Sequence, residues 1–112
     1  MTDFKEINDC PITTTLEYIG GRWKTIILYI LGNRTLRFGE ISARIPAISR
    51  KVLTEQLKQL VNDGLVSRKK YNETPPRVEY TVTDFGHSLK NVLDEMEKWG
   101  LERKAEKINA TK

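Results

Sequence analysis

Apolar residues recur at helical spacing most clearly between Ser49 and Asp63. Ser49 suits the N-cap of a helix, because its hydroxyl can accept a hydrogen bond from a free amide of the first turn. Gly64 suits the position just beyond the helix end. The segment therefore predicts an amphipathic helix that buries one face and exposes a polar, basic one. The apolar face consists of Leu53, Leu57, Leu60 and Val61.

Three further helical patterns precede this segment. The first begins at Cys10-Pro11 and ends at Gly20-Gly21, and the second covers residues 23–31. The second is apolar on several sides, which is typical of a helix at the centre of a core. A short third pattern follows a brief extended stretch at residues 36–38. It places apolar side chains at Phe38, Ile41 and Ile45.

Residues 65–71 and 78–82 read as two β-strands, the second with clean alternation of apolar and polar side chains. The polar loop at residues 72–77 is short enough to make them an antiparallel hairpin. Beyond the hairpin, Thr83 suits the N-cap of a long final helix. The apolar stripe of that helix consists of Phe85, Leu89, Val92, Leu93, Met96 and Trp99.

The order of these elements predicts an α+β fold, mainly helical, of the winged helix–turn–helix type, with a β-hairpin wing and a long C-terminal helix. The 112 residues fit a single domain. We expect residues 1–112 to form one such domain, with its N- and C-terminal helices used for dimerisation. No apolar run is long enough to span a membrane, and the N-terminus lacks a signal-peptide pattern.

Positive charge is concentrated in the middle of the chain. The net charge is +4, but residues 34–77 hold ten basic and four acidic residues, while the remainder is slightly acidic. Such a field attracts polyanions such as double-stranded DNA. A solvated surface of mixed charge is the alternative interpretation.

The exposed face of the 49–63 helix carries groups that can reach base edges in a major groove. Its first turns would read bases, and cations farther along the helix and on the hairpin would contact phosphates. The alternatives are an ordinary solvated helix and an edge strand protected by lysines. We expect Ser49, Arg50, Lys51 and Thr54 to contact bases, and Lys58, Lys69, Lys70 and Arg77 to contact phosphates.

Catalysis has little support in the sequence. The chain holds one histidine, His87, and one cysteine, Cys10, far apart along the chain. No spacing typical of metal ligands, no phosphate-binding loop and no nucleophile motif is visible. We therefore expect a protein that is not an enzyme and needs neither a metal nor a cofactor.

Several motifs, in order, resemble the HxlR-type regulators, a branch of the MarR-like winged-helix proteins. The resemblance covers roughly residues 10–100. It implies a dimeric, cytoplasmic transcription regulator whose helix from Ser49 enters the major groove and whose wing lies near the minor groove. The matching pieces are Cys10-Pro11, Gly20-Gly21-Arg22-Trp23-Lys24, Leu36-Arg37-Phe38-Gly39-Glu40-Ile41, Ile48-Ser49-Arg50-Lys51-Val52-Leu53-Thr54, Asp63-Gly64-Leu65-Val66, Pro75-Pro76-Arg77-Val78-Glu79-Tyr80, Thr83-Asp84-Phe85-Gly86 and Trp99-Gly100.

The terminal helices are the expected dimer interface. Their apolar stripes are broad for a domain of this size, and an exposed patch would be a liability in a monomer. A twofold dimer would bury the patch. The residues expected there are Leu16, Ile19, Leu93, Met96 and Trp99.

Cys10 is a candidate redox sensor. Pro11 favours the first helical position, which puts Cys10 near the N-cap, where the helix dipole stabilises a thiolate. The resemblance implies the same role, because some HxlR-type members sense oxidants or electrophiles through a cysteine placed like Cys10. The alternative is a small apolar side chain packed at the dimer interface. A single cysteine also suits a reducing cytoplasm.

Two other functions remain open at this point. A small ligand could control the regulator from a pocket at the dimer interface, lined by Tyr18, Trp23, Phe85 and Trp99, although these aromatic residues also suit a core. The fold could instead serve as a protein-interaction module that does not bind DNA. Cations on both the 49–63 helix and the hairpin favour DNA.

Overall fold

The two predicted strands pair as an antiparallel hairpin, and a third short strand joins them. In the computed structural model, which describes Asp3 and residues 5–110, the strands are β1 (Leu36–Arg37), β2 (Val66–Tyr71) and β3 (Arg77–Val82). Strand β3 lies in the centre of the sheet, in the order β1-β3-β2. Leu36 pairs with Tyr80 and Val66 pairs with Val82, so the sheet places apolar side chains on one face.

The helices cover that apolar face. They are α1 (Pro11–Ile19), α2 (Lys24–Leu31), α3 (Phe38–Arg44), α4 (Arg50–Asn62), α5 (Asp84–His87) and α6 (Lys90–Ala110), and a short 3₁₀ turn at Ile7–Asp9 precedes α1. The order and types of the elements confirm the predicted α+β fold, a winged helix–turn–helix. No helix in the described part of the chain is long and apolar enough to cross a membrane.

The core is formed by α2, α3, α4 and the inner face of the sheet. Burial of their aliphatic side chains is the main favourable contribution to folding. Helix α6 contributes no fully buried residue to this core, although its Leu93 packs partly against it, as does Leu89 just before the helix. The most deeply buried side chains are Ile27, Leu31, Ile41, Leu53, Leu57, Leu60, Leu65 and Val66.

Helix α4 has the bounds that its sequence predicts. The Ser49 hydroxyl accepts a hydrogen bond from the Val52 amide at 3.1 Å. Gly64 adopts φ +79°, a left-handed conformation that disfavours other residues. The amide of Leu65 then donates to the Leu60 carbonyl at 3.0 Å, which closes the helix and starts β2 in a fixed direction.

The predicted single helix from Thr83 is wrong, because the helix is interrupted at residues 88–89. The amides of Ser88 and Leu89 donate to carbonyls three residues back, those of Phe85 and Gly86, at 3.1 Å each. This tight turn separates α5 from α6. Helix α5 itself is held against the sheet, since a Cβ atom on Gly86 would collide with the Leu65 backbone. Helix α6 therefore begins as a separate helix after this turn.

Candidate nucleic-acid interface

Helices α3 and α4 form a helix–turn–helix whose turn is anchored in the core. Ile45 and Ile48, within the turn, are buried. The start of α3 is fixed by a hydrogen bond from the Arg37 amide to Glu40 Oε1 at 2.9 Å. Because both helices are fixed to the core, the outer face of α4 has a defined orientation.

The outer face of α4 carries the side chains that are expected to contact bases or phosphates. Ser49, Arg50, Lys51, Thr54 and Lys58 are all exposed, whereas the leucines on the opposite face are at most 1% exposed. Thr54 Oγ1 donates to the Arg50 carbonyl at 2.8 Å, an interaction within the helix. The cationic side chains project from a rigid helix into solvent.

Strand β2 adds a second row of cations. Arg68, Lys69 and Lys70 are exposed in succession, so both faces of the strand carry positive charge. Helix α4 contacts β2, and only residues 63–65 separate the two elements. The exposed cations of α4 and β2, the α4–wing surface, therefore belong to one rigid unit.

Arg77 differs from these residues, because its guanidinium is held inside the wing. It pairs with Glu73 at 3.2 Å and with Glu79 at 3.7 Å. It also lies over the Tyr71 ring, with Cζ 4.0 Å from the centroid. The sequence-based expectation treated Arg77 as a free cation, but the structure gives it three partners within the hairpin, which are Tyr71 on β2, Glu73 in the loop and Glu79 on β3.

Phe38 is a functional candidate that the sequence did not indicate. Its ring lies under the guanidinium of Arg50, with Cζ 4.9 Å from the centroid. The two residues begin α3 and α4 respectively and are twelve positions apart. A helical wheel of either helix alone cannot show this contact, because it depends on the crossing of the two helices.

The residues expected at the dimer interface fall into two groups. Leu16, Met96 and Trp99 are exposed, at 55%, 50% and 62%. Leu93 is partly buried against the core, and Ile19 is only 5% exposed. Ile19 therefore packs within its own chain rather than on an exposed patch, because α1 turns that face toward the core. Its role in the dimer interface stays a prediction.

The terminal elements are linked to the fold by few contacts. The rings of Tyr18 and Phe85 meet edge to face, with centroids 5.6 Å apart, which connects α1 to α5. Cys10 is the N-cap residue of α1, its thiol makes no capping hydrogen bond, and it is a partly buried free cysteine. Trp99 lies on the exposed side of α6, beside Val92 and Met96.

An open groove of about 320 Å³ runs between α2 and α6. Its walls are mainly apolar, and Tyr29 and Glu97 lie across it from each other. A hydrogen bond to Glu97, and the negative charge of that carboxylate, raise the pKa of Tyr29 above its ordinary value of 10.0. The other lining residues include Ile26, Met96, Leu101 and Lys104. The residues described in the structure contain no cluster of His, Cys, Asp or Glu that could hold a metal ion.

The fold and the basic surface define a winged helix–turn–helix protein. The chain belongs to the HxlR-like helix-turn-helix family, whose pattern matches residues 18–108. It is 43% identical over 95 residues to the uncharacterized HTH-type transcriptional regulator YdeP of Bacillus subtilis (strain 168), covering 85% of this chain and 74% of that protein. It is 47% identical over 91 residues to YkvN of the same organism, covering 81% and 77%.

Two solved structures are similar in both fold and sequence. The redox regulator HypR in its oxidized form has a TM-score of 0.80 at 41% identity, covering 83% of this chain and 96% of that one. The reduced form of the transcriptional regulator YodB from B. subtilis has a TM-score of 0.71 at 40% identity, covering 80% and 89%. The protein is thus a transcription regulator of the helix–turn–helix type, and the expectation that it is not an enzyme is confirmed.

Proposed function

We propose that the protein is a cytoplasmic, homodimeric regulator that binds double-stranded operator DNA in a sequence-specific way. The observation that carries the proposal is the α4–wing surface, where the exposed cations of α4 adjoin those of β2. A protein-interaction module does not need cations on both elements. A DNA-binding protein needs them, because phosphate contacts provide much of the affinity and orient the reading helix.

In this proposal α4 lies in the major groove, with its first turn against the bases. Arg50, Lys51 and Thr54 read base edges, and the N-cap residue Ser49 lies beside them. Lys58, Lys69 and Lys70 contact phosphates on either side. Arg77 contributes chiefly by holding the wing in shape, since its guanidinium already pairs with Glu73 and Glu79.

The direct test selects genomic fragments on the purified protein and sequences them. We expect one palindromic site, because a twofold dimer would place two reading helices about 34 Å apart. Arg50→Ala should cost about 1–3 kcal/mol of affinity and relax the preference at one base pair of each half-site. Lys104→Ala, which removes an exposed cation from α6, is the matched control. Equal enrichment of all fragments would contradict the proposal.

Dimerisation is supported by the exposed apolar side chains of the terminal helices. Val92, Met96 and Trp99 form a stripe along α6 at helical spacing, and all three are exposed. Leu16 of α1 is the candidate to pack beside the stripe in the dimer, together with the exposed edge of Leu93. Sedimentation should give a mass near twice 13.0 kDa.

We extend the proposal to a redox signal at Cys10. Its support is the free thiol at the start of α1 and the similarity to HypR, a redox regulator, and to YodB, of which a diamide-treated form has been solved. Two Cys10 thiols could be oxidised to one disulfide between subunits, with two electrons and two protons passing to diamide. That bond requires the two Cα atoms to come within about 7 Å.

Oxidant titration tests this part separately. Operator binding should change as diamide is added to the parent protein, and Cys10→Ser should bind DNA but not respond. An equal response of both proteins would exclude Cys10 as the sensor without affecting the proposed DNA binding. The alternative, a ligand pocket built from Tyr18, Trp23, Phe85 and Trp99, has less support, because Trp99 lies along α6 beside Val92 and Met96, whereas Tyr18 and Phe85 pack against each other.

A further inference from the structure

We propose that Phe38 is a positioning residue for DNA specificity, and that its ring orients Arg50 toward the base that Arg50 reads. The inference rests on the proposed function. It starts from the contact between the Arg50 guanidinium and the Phe38 ring, with Cζ 4.9 Å from the centroid. A guanidinium over a ring is attracted by the negative charge of the π face.

This contact leaves the hydrogen-bonding edge of Arg50 available. A stacked guanidinium uses its face, while its N–H groups lie in the guanidinium plane and can form the bidentate pair with guanine O6 and N7. Within the described residues, Arg50 makes no ion pair. Arg77 shows the opposite arrangement, because its guanidinium is paired with the carboxylates of Glu73 and Glu79.

The Phe38 ring is itself held in place, by the fixed backbone that precedes it and by packing against the core. Arg37, the preceding residue, pairs with Glu79 in the sheet, and its amide is bonded to Glu40. The Phe38 ring packs partly against the core. The backbone of Arg50 is fixed as well, since the Ser49 cap starts α4. The flexible part that remains is the Arg50 side chain, and the ring restricts it before DNA arrives.

The test measures binding to the selected operator and to each of its single-base-pair variants. Phe38→Leu keeps an apolar side chain but removes the ring, and Phe38→Tyr keeps the ring. We expect Phe38→Leu to lower discrimination at the base pair read by Arg50 by about 2- to 10-fold, as for loss of one cation–π contact. Discrimination at other positions, and the salt dependence, should stay unchanged. Phe38→Tyr should restore the parent value.

The Arg50→Ala background shows whether Phe38 acts through Arg50. There, Phe38→Leu should have no further effect at that base pair. A uniform loss of affinity for all sequences, or the same loss in the Arg50→Ala background, would overturn the inference. If Arg50→Ala loses discrimination and Phe38→Leu does not, the inference fails and the proposed function stands. A parent protein that enriches no fragment would instead overturn the proposed function.

A spectroscopic measurement keeps the inference testable if Phe38→Leu does not fold. In the parent protein, the ring should shift the Arg50 Hδ proton resonances upfield of their values in an unstructured peptide. Phe38→Tyr should preserve that shift. Hδ resonances at their unstructured values would show that the ring does not orient the side chain, and would overturn the proposal.

Discussion

The α4–wing region and the terminal helices treat their apolar residues in opposite ways. Helix α4 buries Leu53, Leu57 and Leu60 to 1% exposure or less, while its polar face meets solvent. Helix α6, with 21 residues, buries none. The first region is complete within one chain. The second leaves large apolar side chains in water, which a folded monomer normally avoids over a contiguous area.

The difference fits the roles proposed for the two regions, DNA binding for the first and dimerisation for the second. The packed leucines of α4 fix the direction of its cations, so in the proposed function the surface is preorganised for DNA. In the proposed dimer, a second copy of the chain would cover the exposed apolar side chains of the terminal helices. Substitutions in the two regions should therefore change different measured quantities.

The largest expected effect is a loss of folding stability from the core face of α4. Leu57→Ala should lower the free energy of unfolding by about 2–5 kcal/mol, because a cavity replaces a fully buried side chain. Denaturant unfolding measures it. Leu101→Ala on α6, which removes a side chain that is 59% exposed, should change unfolding by less than about 0.5 kcal/mol at monomeric concentrations. Equal losses would mean that α6 packs as α4 does.

The next effect is on association. Trp99→Glu places a charge in the expected dimer interface, and buried aromatic anchors commonly contribute about 2 kcal/mol or more to binding. The dissociation constant of the dimer, measured by sedimentation across a concentration series, should rise by about 30-fold or more. Trp99→Phe is the control that retains an aromatic ring. A Trp99→Glu protein that stays dimeric would remove α6 from the interface.

A smaller effect, on the salt dependence of DNA binding, should distinguish the exposed cation Lys70 from the ion-paired Arg77 on the wing. Lys70→Ala should weaken binding to all sequences and reduce the slope of log K against log salt by about one unit. Arg77→Ala should reduce that slope less, because Arg77 is already paired with Glu73 and Glu79. Titrations at several salt concentrations measure both. Equal slopes for the two variants would place Arg77 among the phosphate contacts.

The smallest effect concerns the groove between α2 and α6. Hydrogen bonding to Glu97 stabilises the neutral phenol of Tyr29 and raises its pKa. The stability from this contact is therefore fully present below pH 10.0 and is lost as the pH rises through the raised pKa. Solvent exposure of both groups keeps it small. The stability difference between the parent and Tyr29→Phe should shrink across that range, and a difference independent of pH would contradict the contact.

Most of the fold could be predicted from local features of the sequence. Ser49 and Gly64 mark the ends of α4 because caps depend on neighbouring residues alone, and the strand alternation gave the hairpin. The break at residues 88–89 left no such mark, since neither residue is glycine or proline. Just before the break, Gly86 approaches the Leu65 backbone too closely to carry a side chain, which holds α5 against the sheet. A contact of this kind cannot be predicted from neighbouring residues alone.

The site shows the same division. Helical spacing indicated that Arg50, Lys51 and Thr54 share an outer face, and they do. The contact of Phe38 with Arg50 depends on how α3 and α4 cross. The ion pair of Arg77 with Glu73, four positions earlier, depends on the shape of the hairpin loop. Burial of Ile19 likewise depends on how α1 rests on the core. Residue types show which groups are available, but tertiary contacts decide how each one is used.

The turn at residues 88–89 fixes the start of α6, so the number of residues after it determines how far along the helix Trp99 lies. The helix is about 31 Å long and begins just after this turn. One residue inserted before Trp99 would rotate the indole by about 100° and move it along the axis by about 1.5 Å. Seven residues would return it to nearly the same face, about 10 Å farther out. In the proposed dimer, the position of Trp99 along α6 would therefore help to set the distance between the two reading helices.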